Sequence, residues 1–261
     1  MPFELPLDLS KARILLSNDD GINAPGLAVL ERIARSLSDD VWVVAPETEQ
    51  SASSHSLTLH LPLRLRQIDK RRFALDGRPT DCALLAINRV MRDRKPDLVL
   101  SGVNFGRNIC DDVTYSGTIA VAMEATLLGV PAIALSQAVD GAGTTDFAVA
   151  ERFGGGLIRR LVAASWPETV LINVNFPACA PEAVTGVRVV PHGKRKIADD
   201  VCERIDPRGR TYYWIGPLHE TDVVDPGCDL AVLAENGIAV TPLHLDLTHL
   251  PTVQTLAAAL E

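Results

Sequence analysis

Five mostly apolar runs constrain this chain more than anything else in it: ARILLS from Ala12, VWVVAP from Val41, DLVLSGVN from Asp97, VPAIALS from Val130 and TVLINVNFP from Thr169. They do not alternate apolar with polar residues, so each reads as a strand buried on both faces. Segments of helical spacing separate them. Leu27, Leu30, Ile33, Ala34 and Leu37 follow the first run, DCALLAINRVM precedes the third, a helix from Ser116 precedes the fourth, and FAVAERFGGGLIRRLVAA precedes the fifth. Strands alternating with amphipathic helices predict a parallel sheet covered on both sides. The expectation is an α/β, Rossmann-like, doubly wound, mostly parallel sheet with helices on both faces, its core spanning about residues 12–180. Asn23 is the expected N-cap of the first helix, with Pro25 in its first turn.

Two stretches leave this pattern. LTLHLPLRLRQI and RRFALDG, between Leu57 and Gly77, alternate and suggest an antiparallel excursion off the main sheet. In the C-terminal third, GVRVVP, TYYWIGP and GIAVTPL are strand-like and PTVQTLAAALE closes as a short helix. Residues 181–261 are therefore expected to form a β-rich arm within a single domain spanning 1–261. Such arms either dress a core or reach a neighbouring subunit.

A formal net charge of −8 argues against a duplex nucleic acid partner, because phosphate neutralisation needs a basic surface. The N-terminal residues MPFELPLDLSK lack the basic start and long apolar run of an export signal. The least polar stretch, Thr118 to Ser136, contains Glu124, Gly129 and Pro131 and reads as helix, turn and strand, so no membrane partner is expected. Five cysteines without a C-x-x-C pair suit a reducing cytoplasm.

In an open α/β sheet, ligands bind outside the carboxyl ends of the strands. SNDDG follows the first strand, PETEQSASSHS the second, and SGVNFGRN the third. Asp-Gly is a strong turn signal, but the element after it is a helix, which excludes a hairpin. Asp19 and Asp20 converge on one point only if the strand ends between them, since neighbours in a strand face opposite ways. Two converging carboxylates call for a cation, and oxygen donors select Mg²⁺ or Mn²⁺, with Ca²⁺ also suited. Asn104 at the third strand end and Ser51 in the second loop are further candidate donors, although both residue types also serve as plain loop formers. Asn108 and the helix start Ser116-Gly117-Thr118 are candidates for phosphate oxygens, with Ser116 equally readable as an N-cap. His55 is either an orienting or proton-donating group or a solvated loop residue.

GINAPG lacks the Lys and Ser/Thr of a P-loop, no G-x-G-x-x-G follows the first strand, and no G-x-S-x-G elbow occurs. A dehalogenase-type phosphatase would need Asp-x-Asp rather than adjacent carboxylates. A module that binds nucleotide or metal without turnover is the other class to separate.

LLSNDDGINAPG, VVAPETEQSASSHSLTL, DLVLSGVNFGRN and YSGTIAVAMEATLLGVPAIALS, in this order, closely resemble the SurE family of survival-protein nucleotidases, and INVNFP, RGRTYYWIGP and VTPLHLDLT extend the likeness. The resemblance implies a metal-dependent hydrolase of nucleoside 5′- and 3′-monophosphates, with some members trimming short polyphosphate. It implies one divalent cation per subunit on Asp19, Asp20, Ser51 and Asn104, and catalytic or phosphate-contacting roles for Asp20, Asn108 and Ser116. It also implies a homodimer or homotetramer built by exchange of the C-terminal arm. Cys110 departs from the pattern, standing where many members carry glycine.

Overall fold

In the computed structural model, which describes residues 5–194, 201–215 and 225–260, the five runs are strands of one sheet. β1 (Arg13–Ser17) leads through α1 (Pro25–Arg35) to β2 (Asp40–Pro46). β3 (Leu65–Asp69) and β4 (Arg72–Leu75) follow. Then α2 (Pro79–Leu85), prolonged by a wider turn at Ala86–Val90, feeds β5 (Leu98–Phe105). α3 (Gly117–Leu127), β6 (Ala132–Gln137), α4 (Ala148–Ala163) and β7 (Val170–Phe176) complete the alternating part. Beyond it lie β8 (Gly186–Val189), the hairpin β9 (Val201–Ile205) and β10 (Thr211–Ile215), α5 (Asp229–Ala234), β11 (Gly237–His244) and α6 (Leu250–Leu260).

Among the described residues the main sheet has nine strands in the order β3-β4-β2-β1-β5-β6-β7-β11-β8. β2, β1, β5, β6 and β7 run parallel, as the apolar runs predict. Both faces are covered. Ile14 and Leu16 of β1 point into a core shared with α1 and α4, while Leu15 points into a second core shared with α2 and α3. That alternation explains why Ile14, Leu15 and Leu16 of β1 are all apolar.

Three expectations need correction. The excursion after Leu57 is part of the sheet: β4 pairs in parallel with β2, and only β3 runs antiparallel beside it. The core does not stop near residue 180, because β11 lies antiparallel on β7 and carries β8 on its far side. The fully buried strand β7 needs a covering neighbour on that edge, and residues 237–244 supply it. Finally, Ala24 and not Asn23 is the N-cap of α1, since the turn closed by the Ala24 N–H on the Gly21 carbonyl at 3.0 Å delivers the chain to Pro25 at the first helical position.

β10 and α6 are strand and helix as expected, whereas β9 forms within the polar, charge-rich stretch from His192 to Arg210, where the sequence pattern predicts no strand; the hairpin and α6 are exposed. Among the described residues no helix is long and apolar enough to cross a membrane.

The chain runs from β1 to β2 on one side and reaches β5 on the other, so β1 and β5 flank the topological switch point. Crevices at switch points are where α/β sheets bind ligands. Helix α1 packs tightly over that point: a Cβ on Gly26 would lie 1.9 Å from the Val103 carbonyl oxygen of β5. Gly26→Ala should therefore cost about 3 kcal/mol in denaturant unfolding. Gly156→Ala, on the exposed side of α4 with nothing near its Cβ, should gain about 0.5–1 kcal/mol.

Candidate active site

β1 ends at Ser17, two residues before the carboxylate doublet, so the expectation that Asp19 is the last strand residue is wrong. Both carboxylates lie in the bend that follows, which frees them from the strand's alternation. The bend is held at several points. The buried Asn18 amide donates to the Gly21 carbonyl at 3.0 Å, Gly21 takes φ 101°, and the Gln50 N–H donates to the Asp19 carbonyl at 2.8 Å. The last of these ties the first loop to the loop after β2.

Asp19 is 4% exposed and faces the start of α3. The Thr118 hydroxyl donates to its Oδ1, and the Gly117 and Thr118 N–H groups also turn toward it. A helix N-terminus favours an anion, and here the anion is internal. Gly117 permits the approach, since a Cβ there would sit 2.7 Å from the Asp19 Cβ. Thr118 Oγ1 also lies 3.3 Å from Asn104 Oδ1, so one hydroxyl keeps two oxygen donors side by side. Gly117 and Thr118 are both buried and engaged with Asp19.

Burial pushes the Asp19 carboxyl up from its ordinary value, against the lowering effect of those hydrogen bonds. Asp20 is raised to about 7, by burial first and then by the charge of Asp19, with Glu49 adding to the effect. The Phe105 N–H, donating to Asp20 Oδ2 at 3.1 Å, opposes it. Among the described residues no cluster of three His, Cys, Asp or Glu side chains could hold a metal. The donor set here is of another kind: two carboxylates, an amide oxygen and a nearby hydroxyl, all hard oxygen ligands. Two crowded carboxylates held above their usual range fit a divalent cation in charge and in chemistry.

A cavity of about 490 Å³ brings together Asp19, Ser51, Asn104, Asn108 and Ser116, with Phe105, Arg107 and Tyr115 also on its wall. Asp20 opens into an adjoining hollow with Glu49, and Phe105 borders both. The Ser51 hydroxyl donates to Glu49 Oε1 at 2.8 Å. Ser116 is the N-cap of α3, its Oγ accepting from the Ile119 N–H at 3.1 Å. His55 is turned onto the buried Glu124 of α3 at 3.0 Å and fastens the second loop instead of facing the cavity.

Sequence reasoning missed the groups behind Asn108. Its N–H donates to Asn175 Oδ1 at 2.8 Å, and its carbonyl accepts from Asn173 and Asn175 at 2.8 and 2.9 Å. Its side-chain NH₂ donates to Ser136 Oγ at 2.9 Å. Two asparagines two apart in an otherwise apolar strand were the available signal, because they share one face of β7. Asp229 was also missed. It is fully buried and accepts from the Cys110 N–H at 2.9 Å and the Gly193 N–H at 2.8 Å, anchoring the loop just beyond Asn108. Cys110 itself has φ 51°, a conformation that favours glycine.

The family model for survival protein SurE matches residues 14–199. The chain belongs to the SurE family. A relative from Paramagnetospirillum magneticum named 5′-nucleotidase SurE is 54% identical over 259 residues, covering 99% of this chain and 100% of its own. One of the same name from Brucella melitensis biotype 1 is 57% identical over 251 residues, covering 95% and 98%. The crystal structure of the SurE protein from Aquifex aeolicus superposes with a TM-score of 0.84 at 36% identity, covering 95% of this chain and 99% of that one. The SurE match spans the segments after β1 and β2 and from the end of β5 to the start of α3, which line the cavity together with Ile215 of β10 beyond the match.

The raised carboxyls give the site a pH signature. A carboxyl with a folded pKa above its unfolded value adds stability that is full below about 4 and lost as pH rises through the folded value. With chelator present, the Asp19–Asp20 contribution should therefore decline as pH rises from about 4 to about 7. Asp20→Asn should raise Tm at pH 8 and flatten that decline. An unchanged pH dependence in the variant would contradict the assignment.

Proposed function

We propose that the protein is a 5′-nucleotidase, a divalent-cation-dependent phosphomonoesterase that converts nucleoside 5′-monophosphates to nucleoside and phosphate in the cytoplasm. The observation that carries the proposal is the grouping of Asp19, Asn104, Ser51, Asn108 and Ser116 around one cavity at the switch point, with Asp20 beside it. The names of the relatives support the substrate class. Nucleoside 3′-monophosphates and short polyphosphate present the same terminal phosphoryl group and belong to the proposal as further substrates.

Asp19, Asp20 and Asn104 would hold the cation, with Ser51 reaching it on turning from Glu49. When bound, a cation such as Mg²⁺ or Mn²⁺ supplies Lewis acidity that draws charge from a phosphoryl oxygen and makes water more acidic. Asn108 and Ser116 bind and orient the phosphoryl group from the opposite wall. Asp20 would take the proton of the attacking water. A new O–P bond forms, the ester P–O bond breaks, the nucleoside oxygen takes up a proton from solvent water, and Asp20 returns its own proton to solvent. Turnover in isotopically labelled water separates this route from attack by Asp20 itself, since label found in Asp20 after one cycle would overturn direct attack by water.

The exposed apolar residues of the arm support self-association. Tyr213, Trp214 and Ile215 on β10 are 63%, 64% and 83% exposed, and α6 presents Leu250, Val253, Leu256 and Leu260 to solvent. Patches of this kind are uncommon on monomers. We assign them to a homodimer or homotetramer built through the C-terminal arm.

Phosphate release from AMP or GMP with Mn²⁺ should be abolished by chelator and reduced at least about 1000-fold by Asp20→Asn. Binding without release would make the protein a module and not an enzyme. Sedimentation at micromolar concentration should give a dimer or larger species, and removal of residues 245–261 should shift it to a smaller one.

A further inference from the structure

Asn108 is held on three sides by groups that the proposed chemistry does not use. Asn173 and Asn175 of β7 fix its backbone, and Ser136 of β6 contacts its side-chain amide. All three are at most 1% exposed. Buried polar side chains in the middle of parallel strands carry a desolvation cost that apolar residues would avoid, so their hydrogen bonds must return something. Asn175 both donates to and accepts from the same residue, which defines the position of the Asn108 peptide at both ends. The Asn108 NH₂ donates to Ser136 Oγ in this structure, and no described residue supplies a partner for Oδ1, on a side chain that lines the cavity.

The chemistry of the occupant decides which end should face it. A phosphoryl group has only acceptor oxygens and negative charge, so it needs the amide NH₂. Ser136 Oγ both donates and accepts, and its contact with Asn108 survives a half-turn of the amide. We infer that Ser136 is a positioning residue: its hydroxyl donates to Asn108 Oδ1 when substrate is bound, and so presents the Asn108 NH₂ to the phosphoryl group, with Asn173 and Asn175 fixing the backbone from which it reaches. This rests on the nucleotidase reading. It adds that orientation of Asn108, and not merely its presence, is set by β6 and β7.

Ser136→Ala leaves the amide free to turn, and Asn175→Asp keeps the acceptor for the Asn108 N–H but loses the donor to its carbonyl. Each should lower kcat for AMP about 10-fold or more with KM changed less than threefold; Tm should be nearly unchanged in Ser136→Ala, while Asn175→Asp, which places a carboxyl at a 1% exposed position, should lower it. The deciding measurement is a double-mutant cycle. On an Asn108→Ala background, Ser136→Ala should reduce kcat less than twofold, because the group it orients is gone. Multiplicative losses would overturn the inference, as would a Ser136→Ala enzyme within twofold of the parent. Ser136→Cys, close in size and able to hydrogen-bond weakly, should recover part of the rate if orientation is at issue and none if only packing is. If the parent protein releases no phosphate from any nucleotide, the nucleotidase reading fails. Calorimetry with orthovanadate and Mn²⁺ then tests the frame separately: Ser136→Ala should weaken vanadate binding at least fivefold, and equal affinity would overturn it.

Discussion

The carboxylate of Asp19 against the first turn of α3 is the contact on which the site depends. A charge this deeply buried is tolerated only where dipoles are aimed at it, and the Gly117 and Thr118 N–H groups with the Thr118 hydroxyl provide them. The contact locks the end of β1 to the start of α3, which lie on different sides of the switch between β1 and β5. Position 117 must then be glycine, and Thr118 is drawn close enough to Asn104 to bring the end of β5 into the same cluster. What the helix spends on Asp19 it cannot offer to Asp20. That second carboxylate has one N–H donor and two like charges for company, an environment that suits a divalent cation.

The fold was legible where burial on both faces wrote it into composition. β1, β2, β5, β6 and β7 read as strands because the packing of helices on two sides makes most of their positions apolar. The sheet edges were not legible. β4 and β11 are short or follow irregular segments, and their pairing with β2 and β7 is decided by what lies beside them in space. Even the doublet was placed correctly for an inexact reason: the strand stops before it, at Ser17, and not between its members.

The candidate site divides in the same way. Asp19, Asp20 and Asn108 follow strands, Asn104 is the penultimate residue of β5 and Ser116 opens a helix, so position near a strand end nominates them. The groups that hold them come from elsewhere in the chain. Ser136, Asn173, Asn175 and Asp229 lie inside strands or a late helix, far in sequence from what they contact, and only the folded arrangement shows their partners. Thr118 shows the converse, a residue whose local position suggested phosphate but whose hydroxyl a tertiary neighbour claims.

β11 closes the edge of β7, and Asp229 just before it secures the loop next to Asn108. Both are made well after β7. Until they are, the flank of β7 that β11 covers is open, and the asparagines that frame Asn108 sit on that strand. The doublet thus emerges early, and the support for its opposite wall emerges later. A nascent chain of this kind holds an exposed β edge until β11 arrives, which is a demand on chaperones during synthesis and not on the finished protein.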